Sequence, residues 1–269
     1  MARVLAVANQ KGGVGKTTTC INLAASLAAM RRRVLLVDLD PQGNATMGSG
    51  VDKHALERSA YEVVVRELPP AEALVRVEAA GYDLLPANRD LAAAEIELVQ
   101  ARLREQRLRL ALQRVREDYD WILVDCPPAL GLLTLNALAA ADGVLIPMQC
   151  EYYALEGLTA LLETIEAVRR TVNRGLAVEG VLRTQFDPRN RLANQVSAQL
   201  LVHFRDKVFR TVIPRNVRLA EAPSHGLPAL LYDRASRGAL AYLALAGEML
   251  RRAGEGPGLP AAGGATAGA

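Results

Sequence analysis

Residues 9–19 read NQKGGVGKTTT, and these residue types at this spacing can hold a chain of phosphates. Gly12, Gly13 and Gly15 let backbone N–H groups converge on an anion with no Cβ in the way. The run before them, Arg3–Ala8 (RVLAVA), suits a buried strand. After them, from Thr17 to Met30, Ile21, Leu23, Ala24, Leu27 and Ala28 recur at helical spacing. A Gly-rich turn from strand into helix places the anion at a helix N-terminus, where partial positive charge collects. Lys16 can reach the β- and γ-phosphates, and the Thr17 hydroxyl can ligate Mg²⁺. The backbone of Gly12, Gly13, Val14, Gly15, Lys16, Thr17 and Thr18 supplies the remaining candidate nucleotide contacts.

The pattern G-x-x-x-x-G-K-[ST] calls for Gly where this chain has Gln10, and Lys11 follows. This is the deviant Walker A form, with a second lysine. Two further apolar strands close on acids. Arg33–Asp40 (RVLLVDLD) ends in Asp38 and Asp40, ahead of a Pro41-Gln42-Gly43 turn. In an open α/β sheet, ligands gather at the carboxyl ends of strands. Alternation sets both acids on one side of the chain. There a carboxylate can orient water for attack on a γ-phosphate or hold Mg²⁺ through water. Trp121–Asp125 (WILVD) reads as a Walker B strand, with Asp125 bonding the metal's water shell.

The segments KGGVGKTTT, VLLVDLDPQGNAT (34–46), DCPPALGLLTLNAL (125–138), QCEYYALEGL (149–158) and IPRNVRLAEAPSHG (213–226) resemble the ParA/Soj DNA-partitioning ATPases. The resemblance runs from about Arg3 to Arg252, and the last two segments are specific to the Soj-like branch. It implies an ATP hydrolase with a slow intrinsic rate, using ATP and Mg²⁺. An ATP-dependent sandwich homodimer would bind double-stranded DNA without sequence preference and be stimulated by a ParB-type partner. Lys11 resembles the signature lysine that crosses the dimer interface to the partner's ATP. Lys11, Lys16 and Asp40 are then the catalytic candidates, with Asp40 activating water. Thr17, Asp38 and Asp125 surround the metal. Pro214 and Asn216 resemble residues near the adenine. Arg189 and Arg218 match arginines that contact DNA in Soj-like proteins. A membrane-bound positioning switch of the MinD type is one alternative, and a nucleoid-based cargo-positioning ATPase is another.

With 51% hydrophobic residues and 4% aromatics, the core must be built from Leu, Val and Ala. Cys20, Cys126 and Cys150 have no metal-ligand spacing and suit a reducing cytoplasm. Cys126 suits a small apolar packing role rather than a cluster ligand. His54, His203 and His225 show no pairing. No leader is expected before the first strand, no membrane span is expected, and no extra DNA-reading domain is expected ahead of Lys16. The segment Gly254–Ala269 carries no Lys, Arg or apolar stripe, which argues against lipid docking.

Alternating strands and helices predict one α/β domain over 1–252. Its sheet should be doubly wound and mostly parallel, with helices on both faces. A long helix is expected over 91–117 with Asp90 as its N-cap, and a disordered Gly/Ala/Pro-rich tail over 253–269. Residues 182–219 hold eight cations against two acids in a chain of net charge +3. Such a concentration fits a phosphate backbone, and with few base-reading side chains it implies non-specific binding.

Overall fold

The computed structural model describes residues 1–255. Its strands are β1 (Arg3–Val7), β2 (Val34–Asp38), β3 (Val75–Val77), β4 (Tyr82–Leu85), β5 (Trp121–Asp125), β6 (Gly143–Gln149), β7 (Ala177–Phe186) and β8 (Val208–Pro214). The helices are α1 (Lys16–Ala29), α2 (Asn44–Gly48), α3 (Ala60–Val65), α4 (Leu91–Glu97), α5 (Arg107–Gln113) and α6 (Leu132–Ala140). They continue as α7 (Ala154–Thr171), α8 (Arg191–Phe204), α9 (Val217–Glu221), α10 (Ala229–Tyr232) and α11 (Arg237–Arg252). The strands form one sheet in the order β3-β4-β2-β5-β1-β6-β7-β8. Every neighbouring pair is parallel except β3 and β4. The doubly wound single domain expected from the sequence is the fold observed.

Strands β2 and β5 are buried at every position, because helices cover both faces of the sheet. Alternate residues feed two separate cores. Val4, Ala6, Leu35, Val37, Ile122 and Val124 face the layer that includes α3 to α8. Leu5, Val7, Val34, Leu36, Trp121 and Leu123 face α1 and α11. Helix α1 is so enclosed that it carries small residues such as Ala24 and Ala25 where it is buried. Strand β1 lies between β5 and β6, and the chain winds outward from it in both directions. The turn after β1 therefore opens at the crevice such sheets use for ligands.

Three expectations need correction. The helix predicted over 91–117 is two helices with a 3₁₀ turn, Leu98–Gln100, and irregular chain between them. Leu103 has φ 54°, a left-handed conformation that no helix interior accepts. The break is held by the buried Asn136 of α6. Its Oδ1 accepts from Leu108 N at 3.1 Å, and its Nδ2 donates to Arg104 O at 2.7 Å and Leu132 O at 2.9 Å. Asp90 does occupy the N-cap position of α4, but with helical backbone angles and without a capping bond from its side chain. Asn88 organises that turn instead, accepting from Asp90 N on its side chain and from Leu91 N on its carbonyl. The short antiparallel strand β3 was not expected. Of the expected tail, Ala253, Gly254 and Glu255 close α11, with Glu255 N donating to Leu250 O. The remainder, 256–269, lies outside the described residues. No helix among the described residues is long and apolar enough to cross a membrane.

Asn136→Ala leaves a buried N–H and two carbonyls without a side-chain partner. It is expected to cost about 2–3 kcal/mol of stability. Urea unfolding read by circular dichroism checks this; a midpoint equal to that of the unaltered protein would contradict it.

Candidate functional site

The turn after β1 is a phosphate loop in shape as well as in sequence. Gly13 and Gly15 have φ 74° and 87°, a region where glycine carries no Cβ penalty. Gly15 caps α1, and the first turn of α1 has neither a side-chain cap nor an acid. Its N–H groups are thus free to serve an anion. Lys16 is 7% exposed, and its Nζ donates to Lys11 O at 3.4 Å. Lys11 is exposed, with its backbone N–H on Asn9 Oδ1 and its ammonium paired with Glu151. A Cβ built on Gly12 would meet nothing within 4 Å among the described residues.

Two acids stand side by side at the carboxyl ends of neighbouring strands. Asp38 of β2 and Asp125 of β5 are in register, and both are fully buried. Asp38 is well supplied with donors. Its Oδ2 accepts from Thr46 N at 2.8 Å and Thr46 Oγ1 at 2.7 Å, and its Oδ1 from Asp40 N at 3.2 Å. Asp125 is not. Cys20 Sγ lies 3.5 Å from Oδ1, and Oδ2 is buried with no hydrogen-bond partner among the described residues. Burial pushes both carboxyls above the usual range. For Asp125 the charge of Asp38 adds to the rise, while the Thr17 hydroxyl and Lys16 oppose it. Asp40 lies just past the end of β2, and its Oδ1 accepts from Gln42 N at 2.9 Å. The three buried acids, Lys16 and Thr17 therefore belong to one cluster.

Beside the loop is a cleft of about 360 Å³. Gly15 and Thr18 line it on one side, Pro214, Asn216 and Val217 on another, and Tyr242 closes it. Asn216 caps α9 through a bond from Leu219 N at 3.3 Å, which fixes the turn between β8 and α9. Pro214 and Asn216 thus come next to the phosphate loop from some 200 residues away in the chain.

The basic stretch 182–219 does not form one face. Arg183 is buried inside, donating to Ser197 Oγ at 2.9 Å and Phe209 O at 2.9 Å. Arg205, Lys207 and Arg210 cluster near the start of β8 and line a separate groove with Arg251 and Arg252. Arg189 and Arg218 follow the other ends of β7 and β8, a strand length of roughly 20 Å away. Both are exposed and ion-paired within the chain. Arg189 holds Asp187 at 2.8 Å, and Arg218 bridges Glu221 at 2.8 Å and Asp233 at 3.2 Å.

Several residues at the site were assigned no role from the sequence. Gln149, Thr184 and Gln185 bond carbonyls of the phosphate loop, Glu151 pairs with Lys11, and Thr46 holds Asp38. His225 stacks on Tyr232 with ring centroids 4.8 Å apart. The three cysteines are free and buried. No group of His, Cys, Asp and Glu among the described residues has the makings of a metal centre without further ligands.

Residues 2–178 match a family model described as an AAA domain. A Pseudomonas putida protein of uncharacterised role is 65% identical over 252 residues, 94% of this chain and 96% of its own length. The sporulation initiation inhibitor protein Soj of Bacillus subtilis is 54% identical over 249 residues, 93% of this chain and 98% of its own. Among solved structures, a Mycobacterium smegmatis protein named cobyrinic acid a,c-diamide synthase, with bound ADP and magnesium, superposes with TM-score 0.83 at 40% identity. That match covers 97% of this chain and 100% of the other.

Asp125→Asn removes one of two adjacent buried carboxylates, so it should stabilise the metal-free protein. The sign follows from the raised folded pKa. A carboxyl that holds its proton more tightly when folded favours the fold below its unfolded pKa, near 4. That contribution is lost as pH rises through the folded value. The variant's advantage should grow from pH 5 to pH 8, to on the order of 1–2 kcal/mol. Urea unfolding in chelator at both pH values tests this, and a variant less stable than the parent at pH 8 would refute it.

Proposed function

The chain belongs to the ParA/Soj family of chromosome-partitioning ATPases, and on that premise we propose how this molecule carries out the task. MgATP on the phosphate loop joins two copies into a dimer. The dimer holds duplex DNA at the nucleoid without regard to sequence. Hydrolysis, stimulated by a ParB-type partner, releases it. What supports this most directly is the phosphate loop with its two lysines in different surroundings: Lys16 is nearly buried and Lys11 exposed.

In this reading the N–H groups of Gly12 to Thr18 and the Lys16 ammonium cradle the phosphates, as the uncompensated first turn of α1 favours. The adenine occupies the cleft edged by Pro214 and Asn216. Thr17 and Asp125 hold Mg²⁺, with Asp38 behind them. The lone buried Oδ2 of Asp125, beside a hydroxyl, fits a hydrated cation. When bound, that ion neutralises charge on the β- and γ-phosphates. Asp40, fixed by Gln42 N and by its own N–H on Asp38, orients the attacking water. Lys11 exchanges Glu151 for the γ-phosphate of the partner's ATP, which ties nucleotide state to dimerisation.

Gly12 tests the dimer separately from the fold. Its Cβ position is open in the single chain, so Gly12→Val should fold and bind ATP normally. At a face-to-face interface over ATP, the added isopropyl group should keep the variant monomeric. Light scattering with ATP is the measurement, and a stable dimer of the variant would contradict the arrangement.

DNA binding tests the whole reading. Arg189 lies in the turn after β7 and Arg218 on the short helix α9, so a single copy offers few charges and dimerisation doubles them. Affinity should require ATP, fall steeply with salt and ignore sequence. Arg189→Glu and Arg218→Glu should each weaken binding several-fold and flatten the salt slope, with ATP-driven dimerisation intact. Filter binding on unrelated duplexes across a salt series reads all of this. Unchanged affinity in both variants would remove this surface from the DNA site.

A further inference from the structure

Strand β7 contains a conformation it has no need of as a strand. Gln185 has φ 48°, the left-handed region that costs an L-residue free energy, within the register shift between Arg183 and Phe186 in the pairing with β8. Strain of this kind persists where the surroundings impose it, and it concentrates at functional sites. The Gln185 side chain shows what is gained. Its Nε2 donates to Gly13 O at 2.7 Å, and Gln149 Nε2, from the end of β6, adds a bond to the same oxygen at 3.3 Å. The preceding residue, Thr184, is buried and donates from Oγ1 to Val14 O at 2.8 Å.

These bonds fall on successive peptides of the phosphate loop. A peptide unit is planar and trans, so its C=O and N–H point in opposite directions. Fastening Gly13 O to β7 aims the N–H of Val14 away from β7, and fastening Val14 O does the same for Gly15 N–H. We infer that Gln185, seconded by Thr184, is a positioning residue that sets the phosphate-facing N–H groups of the loop from the neighbouring strand. The left-handed backbone then has a reason. Glycine would relieve the strain and lose the donor. Asparagine, which tolerates this conformation better than most residues, is one methylene too short to keep the same bond.

The inference rests on the reading of residues 12–18 as an ATP site, and Lys16→Ala serves as the control for that reading. Calorimetric titration of the full chain with MgATP and with tripolyphosphate, alongside urea unfolding, tests it. Gln185→Gly is expected to unfold at the same or a higher urea concentration and to bind both ligands roughly 5- to 10-fold more weakly. Gln185→Asn should lose affinity to a similar degree. A purely structural role would instead lower stability together with affinity, and that outcome overturns the inference. So does ATP affinity within twofold of the parent in Gln185→Gly. Gln185 also lines the cleft proposed for the base, so weaker ATP binding with unchanged tripolyphosphate binding would mean that it acts on the base and not on the loop, and would also overturn the inference. If Lys16→Ala binds ATP as the parent does, the ATP-site reading fails, and the inference with it.

Discussion

Two carboxylates buried in register on adjacent parallel strands are costly, and much of the surrounding structure answers that cost. Asp38 and Asp125 sit opposite one another with no access to solvent. An unpaired charge inside a protein either finds donors or takes up a proton. The short helix α2 delivers Thr46, whose N–H and hydroxyl both serve Asp38. Thr46 also accepts from Ala87 N, so the same hydroxyl anchors the chain leaving β4. Asp125 receives no comparable support from the protein. That asymmetry divides the pair into one acid that builds the site and one whose charge awaits a cation.

The phosphate loop shows which parts of a site a sequence displays. Its glycines, lysines and threonines are contiguous, and each has a local reason to be there, so they can be read directly. Asp38 and Asp125 can be read almost as well, because an acid closing an apolar strand is a visible exception to the strand's composition. The supports cannot. Gln149, Thr184 and Gln185 are ordinary polar residues in ordinary company, and their role exists only because β6 and β7 pass beside the loop.

The misreadings have the same origin. Periodicity over 91–117 is helical, but it is blind to the tertiary bonds from Asn136 that hold a break at 101–106. Charge counting over 182–219 sums side chains that β8 separates by its full length, together with one, Arg183, whose guanidinium is spent on the carbonyls of β8. Helix α8, by contrast, carries the signal for its start in its own sequence. In α8, Asn190 marks the start by accepting from Leu192 and Ala193 N–H groups, a signal carried within one turn of chain.

The order of strands has a consequence for how the chain comes together. Strands β1 and β2 are separated by only one helix, yet they never touch. Both pair with β5, which fills the gap between them, so that Arg3 and Val34 share Trp121 as their opposite residue. During synthesis the first two strands leave the ribosome as apolar segments whose common partner does not yet exist. The centre of the sheet cannot close until residue 125 is available, and its ladder links parts of the chain far apart in sequence. Non-local parallel pairing of this kind is slow and leaves strand edges exposed in the interval. The phosphate loop is thus synthesised well before β6 and β7, the strands whose side chains fasten it.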